Sequence, residues 1–182
     1  MARVLIAVGG VLLVVGIALG GYQAYLRYQT AVQRQQVDGY SAAVQRPAEQ
    51  AGRLVAQTIV PEIDAFVSGK LPASKVAIDA AIWKAFFTRT RQEFGRVARP
   101  DPVLGIASQF DKALAEYIQA VADLEQVAAA SGAGRALATG QAEAHLADCD
   151  YGRAAVALTH LRRSLDLPDI GTFAAATTIG CK

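Results

Sequence analysis

Apolar positions follow different rules in successive parts of the chain. From Val4 to Leu19 almost every residue is Val, Leu, Ile, Ala or Gly, and no charge falls between Arg3 and Arg27. An α-helix rises about 1.5 Å per residue, so about 20 residues cross the hydrocarbon core of a bilayer. With an uncharged flank reaching Leu26, the run predicts a single transmembrane helix. A cleaved secretory signal would have an apolar region of only about 7–15 residues. Tyr22, Tyr25 and Tyr28 follow at three-residue spacing, the pattern of a membrane-interface belt of amphipathic rings. Gly9, Gly16 and Gly20 supply small surfaces for packing against a partner helix, the last two as a GxxxG step.

Residues 29–46 are rich in Gln and show no strand-like alternation, which predicts a helical stalk leaving the membrane. Asp38-Gly39 is a turn signal that would interrupt it. From Val44 the apolar row Val44, Ala48, Ala51, Val55, Ile59, Ile63 and Phe66 steps by three or four, a helical period. Pro47 is expected in the first turn of a new helix, and Pro61 at a kink or a restart. Ser68-Gly69 is the expected stop. The next helix opens at Leu71-Pro72-Ala73-Ser74. Its core face is predicted as Ile78, Ile82, Phe86 and Phe94, with Trp83 and Phe87 beside it.

Arg99-Pro100-Asp101-Pro102 is a stop followed by a restart, with Asp101 as the expected N-cap. Beyond it Val103, Ala107, Phe110, Leu114, Tyr117, Val121, Leu124 and Ala128 alternate steps of four and three. Such a seam suits a bundle core helix, or a coiled-coil contact in a homo-oligomer. After Ser131–Gly134, one face carries Ala142, Leu146 and Cys149, and another carries Ala154, Leu158, Leu161 and Leu165. The step of five between them predicts a turn at Asp150-Tyr151-Gly152.

These elements predict an all-α chain in which a single N-terminal transmembrane helix is followed by a stalk and an antiparallel bundle of about four helices. The divisions are 1–28 for the anchor, 29–46 for the stalk, and 47–182 for an extracytoplasmic bundle with an irregular tail from Pro168. Within it, Asp150-Tyr151, then Ala154, Leu158 and Leu161, then Leu165-Asp166-Leu167-Pro168 resembles the second half of a tetratricopeptide repeat. The likeness covers residues 150–168 and has no second copy, whereas a solenoid needs about three repeats, so it implies no function. The order of anchor, long helix and further helices also resembles periplasmic four-helix sensor domains. No second membrane helix or signalling module follows, so a receptor role is not expected.

Composition narrows the function classes. The chain of 182 residues is 53% hydrophobic and 19% charged, too apolar for a disordered protein. A net charge of +2 gives no reason to expect nucleic acid as a partner. Cys149 and Cys181 are the only cysteines, and in an oxidising compartment their expected fate is one disulfide. It would close a loop of about 31 residues and stabilise by about 3–4 kcal/mol. A metal site using His145, Cys149, His160 and Cys181 is the rival, but the spacing matches no zinc pattern. No phosphate-binding loop, nucleophile elbow or metalloprotease signature occurs, so neither an enzyme nor a cofactor is expected.

Arg89, Arg91, Arg96 and Arg99 crowd one helix end, with Glu93 the only acid among them. They form a candidate docking patch for an acidic partner or a lipid headgroup. Trp83, Phe86, Phe87, Phe110 and Tyr117 could line an apolar pocket for a lipid or quinone. The flanking charges Arg3, Arg27 and Arg34 are nearly balanced; the cysteine pair tips the expected topology towards an extracytoplasmic bundle. An Ala-rich, Arg-over-Lys composition points to a bacterial inner membrane. The expected role is a non-catalytic accessory or scaffold subunit of a larger envelope complex, in contact with the bilayer and with membrane-protein subunits. The alternative is a lipid- or quinone-binding helical module.

Overall fold

The computed structural model describes the backbone of residues 2–129 and 133–170, and side chains within 22–126, 128 and 144–170. Those residues contain helices and loops but no strand. Helix α1 runs Ala2–Leu54, a π-helical turn spans Val55–Ile59, and α2 spans Val60–Val67. Helix α3 is Ala73–Arg96, and a 3-10 turn at Asp101–Val103 leads into α4, Leu104–Ala129. Helix α5 is Ala133–Ser164. Helix α4 sits between α3 and α5, and α1 packs across α3 and α5. The long helices pack on one another, so the expected all-helical bundle of about four helices is present.

Two predicted breaks in α1 do not occur. Asp38-Gly39 and Pro47 both lie inside the helix. Pro47 lacks the N–H that would bond the carbonyl of Ala43, which in an isolated helix costs about 3 kcal/mol. Burial of Val37, Tyr40, Val44, Ala48 and Ala51 on one face holds the helix together across that defect. Because this row starts at Val37, the bundle begins within the expected stalk, well before residue 47. Pro61 is accommodated differently. It stands in the first turn of α2, and the π turn before it lets Val60 N–H donate to the Val55 carbonyl. The wider turn keeps Val55 and Ile59 on the buried face despite the missing proline donor.

The stop after α2 matches its prediction. Gly69 has φ +73°, and Lys70 N–H reaches back to the Ala65 carbonyl at 2.8 Å. That left-handed residue closes the helix end as glycine allows. Helix α3 corrects the predicted face. Its buried row is Val76, Ala80, Trp83, Phe87, Thr90 and Phe94, whereas Ile78 and Ile82 are 63% and 60% exposed. Both rows are apolar, and the choice went to the one that carries Trp83 and Phe87 onto α4. Asp101 makes no side-chain cap bond; Pro100 occupies the cap position of the 3-10 turn.

The α4 seam is buried as predicted from Val103 through Leu124, with Ala128 partly covered against the core. It packs inside the chain between α3 and α5, which removes it as the coiled-coil seam of a homo-oligomer. Rings interlock across this interface. Phe87 stacks on Tyr117 with centroids 5.0 Å apart, and Phe110 meets Phe94 and Tyr151, each at 5.4 Å. Burying each such side chain contributes about 1.5–3 kcal/mol.

Helix α5 passes through Asp150-Tyr151-Gly152 without the predicted turn. Its buried row is Ala147, Tyr151, Ala154, Leu158 and Arg162, and Leu146 is exposed. Tyr151 donates its hydroxyl to the Ala48 carbonyl at 2.6 Å, tying α5 to α1 beside Pro47. After α5, Asp166 takes a left-handed φ of 52°, and Leu167 N–H donates to the Arg162 carbonyl at 3.0 Å. Leu165, Leu167 and Ile170 then lie partly buried against the core.

Candidate functional site

Among the described residues no helix is long and apolar enough to cross a membrane. The run Val4–Leu19, with Gly9, Gly16 and Gly20, lies outside the residues whose side chains are described. Tyr22, Tyr25 and Tyr28 are all strongly exposed on the projecting part of α1. Leu26, Arg27, Thr30, Ala31 and Arg34 line a shallow groove of about 330 Å³ on the same stretch.

The expected aromatic pocket is placed in the core. Trp83, Phe87, Phe110 and Tyr117 are buried, and Phe86 is half-buried with its ring edge-on to Phe87. Tyr117 donates its hydroxyl to Asp148, and burial raises the pKa of that phenol further. Burial also raises the Asp148 carboxyl above its ordinary value, opposed by the Tyr117 hydrogen bond and the nearby His145.

Cys149 is buried and is not a free thiol. Its expected disulfide partner, Cys181, lies outside the described residues. His145 Nε2 is 3.9 Å from Cys149 Sγ, and His160 is exposed further along α5. Among the described residues no three of His, Cys, Asp and Glu gather to hold a metal ion.

The four arginines divide into two kinds. Arg89 pairs with Glu93 at 3.0 Å on its own helix. Arg91 grips Asp111 of α4 with two bonds of 3.0 Å, and that guanidinium holds the Asp111 carboxyl below its ordinary range. Arg96 and Arg99 instead line a groove between α1 and the α3–α4 connection. Its volume is about 850 Å³, and Gln35, Gln36, Gly39, Tyr40, Ala43, Val97, Ala98 and Pro100 complete it. Among the described residues no Asp or Glu contributes to its walls.

Tyr40 is the residue the sequence did not mark. It is 3% exposed, and its hydroxyl is closed off from water with no hydrogen-bond partner among the described residues. Burial pushes the phenol up to about 12, against the pull of the Arg99 charge. The available signal was its place three residues after Val37 and four before Val44, which puts it on the buried row. An expected stalk masked that row.

A second unpredicted feature fastens α1 to the end of α5. Arg162 is 1% exposed, donates twice to the Pro168 carbonyl at 3.1 and 2.9 Å, and pairs with Asp38 at 2.8 Å. Arg34 adds a 2.7 Å pair with Asp166. Comparison of the chain with protein-family models, with curated proteins and with solved structures returned no match.

Proposed function

We propose that this chain is a non-catalytic, single-pass accessory subunit that fixes a helical bundle to a larger complex of the bacterial inner membrane, with the bundle on the extracytoplasmic side. The observation that carries the reading is the continuity of α1. One helix joins the apolar N-terminal run to the bundle core without a break. At about 1.5 Å per residue, its 53 residues extend roughly 80 Å. A helix clamped at Asp38 and Ala48 transmits position from a membrane segment to the bundle, which a flexible linker would not do.

Other features agree with this reading. The exposed Tyr22, Tyr25 and Tyr28 suit the bilayer interface, with Arg27 nearby for anionic headgroups. Ile78 and Ile82 on the outer face of α3 offer an apolar stripe to a neighbouring subunit. A Cys149–Cys181 disulfide would tether the tail to α5 in an oxidising compartment. The interlocked rings at Phe87, Phe110 and Tyr117 give less support to a lipid or quinone guest there.

The test is purification of the tagged full chain from native membranes in a mild maltoside detergent. A stoichiometric set of membrane proteins should co-migrate with it. Ile78→Lys with Ile82→Lys should weaken that association while leaving the fold intact. A lone monomer, free of other proteins in every mild detergent, would overturn the proposal.

A further inference from the structure

The groove beside Tyr40 combines three properties that an idle surface cleft does not need. Two guanidinium groups, Arg96 and Arg99, share its wall and have no ion-pair partner among the described residues. Neighbouring Arg89 and Arg91 do have such partners, so local acids were accessible to this part of the fold. Tyr40 lines the same groove, and its hydroxyl, turned into the protein, has no hydrogen-bond partner among the described residues. Leaving a buried donor unsatisfied costs about 1–3 kcal/mol, so native proteins rarely keep one without use. Finally, about 850 Å³ is room for much more than a bare ion.

We infer that this groove binds a phosphate-bearing ligand, with Arg96 and Arg99 neutralising the phosphate and the Tyr40 hydroxyl turning from its buried position to donate to a phosphate oxygen. A phosphomonoester carries close to two negative charges at neutral pH, which two guanidinium groups match. Guanidinium forks fit phosphate oxygens geometrically, and the phosphate has acceptors left for a phenol. The amides of Gln35 and Gln36 supply further donors. Ala43, Val97, Ala98 and Pro100 form an apolar wall for the body of the ligand. The phenol keeps its proton at neutral pH, as a donor must. The phosphate could belong to a soluble ester or to a lipid headgroup, and the experiment separates these.

The full chain, in maltoside micelles at fixed ionic strength set with chloride, is titrated calorimetrically with inorganic phosphate, glycerol 3-phosphate and dihexanoyl phosphatidylglycerol. Saturable binding is expected. Arg96→Gln and Arg99→Gln should each weaken it by about tenfold or more, and Tyr40→Phe by about tenfold. Tyr40→Phe removes an oxygen with no partner among the described residues, so its thermal midpoint should match or exceed that of the wild type. That separates loss of a ligand contact from loss of the fold. Binding of glycerol 3-phosphate identifies a soluble ester. Binding of the short-chain lipid alone identifies a headgroup. Absence of saturable binding to all three probes overturns the inference, as does binding that survives unchanged in Arg96→Gln, Arg99→Gln and Tyr40→Phe. Neither result bears on the accessory-subunit proposal, which is tested by co-purification.

Discussion

Arg162 is a cation removed from water whose direct ion-pair partner, Asp38, is half in solvent, and whose charge is also felt at Asp169. Asp38 is 57% exposed, so removing it leaves the guanidinium buried with only the Pro168 carbonyl. Asp38→Asn should therefore destabilise by about 1–3 kcal/mol in urea unfolding. Arg162→Met, which removes the buried charge and keeps most of the apolar stem, should cost less than Arg162→Ala, which also opens a cavity. Asp148 gives a pH signature. A carboxyl whose folded pKa is raised holds its proton more tightly in the folded state. The charged form thus withholds stability at neutral pH, and this is returned as pH falls through the raised value. Relative to Asp148→Asn, the wild type should gain stability between pH 7.5 and the ordinary carboxylate range. Paired unfolding curves at several pH values would show it; a parallel loss in both proteins would contradict the assignment. Asp38 and Arg162 were not legible as partners in the sequence, because they are 124 residues apart and only the fold brings them together.

At the level of elements, helix periods were readable wherever one apolar row dominated. The α4 seam is the clear example, since its steps of four and three match the buried row. Helix α3 was misread because Ile78, Ile82 and Phe86 compete with Val76, Trp83 and Phe87. Sequence period cannot rank two apolar faces; the packing of Phe87 on Tyr117 does. The predicted breaks at Asp38-Gly39, Pro47 and Asp150–Gly152 failed for one reason. A local turn preference or a missing donor is worth a few kcal/mol at most, and the tertiary contacts of Val44, Ala48, Tyr151 and Ala154 exceed it. Where backbone conformation does require glycine, replacement should tell. Gly69→Ala should lose about 1–2 kcal/mol, because φ is +73° although a Cβ would meet no atom within 4 Å. Gly105, helical and in open space, should gain about 0.5–1 kcal/mol as Gly105→Ala. Thermal melts of the two variants should shift in opposite directions; a shared sign would undo this account.

For the whole molecule, the all-helical bundle was legible from periodicity, but its lower edge was not. The core begins at Val37, inside the expected stalk, because α1 runs unbroken from that segment into the bundle. The basic cluster was visible as four arginines, yet only their distribution in space divides it into two ion pairs and two groove cations. The proposed role requires the apolar run Val4–Leu19 to insert in a bilayer. The direct measurement is alkaline carbonate extraction of membranes from cells expressing the full chain. The protein should remain in the membrane pellet, and Leu12→Lys with Val14→Lys should move it to the supernatant, since a charge at the bilayer centre costs about 2.5–3.5 kcal/mol. Release of the unaltered chain into the supernatant would contradict the account.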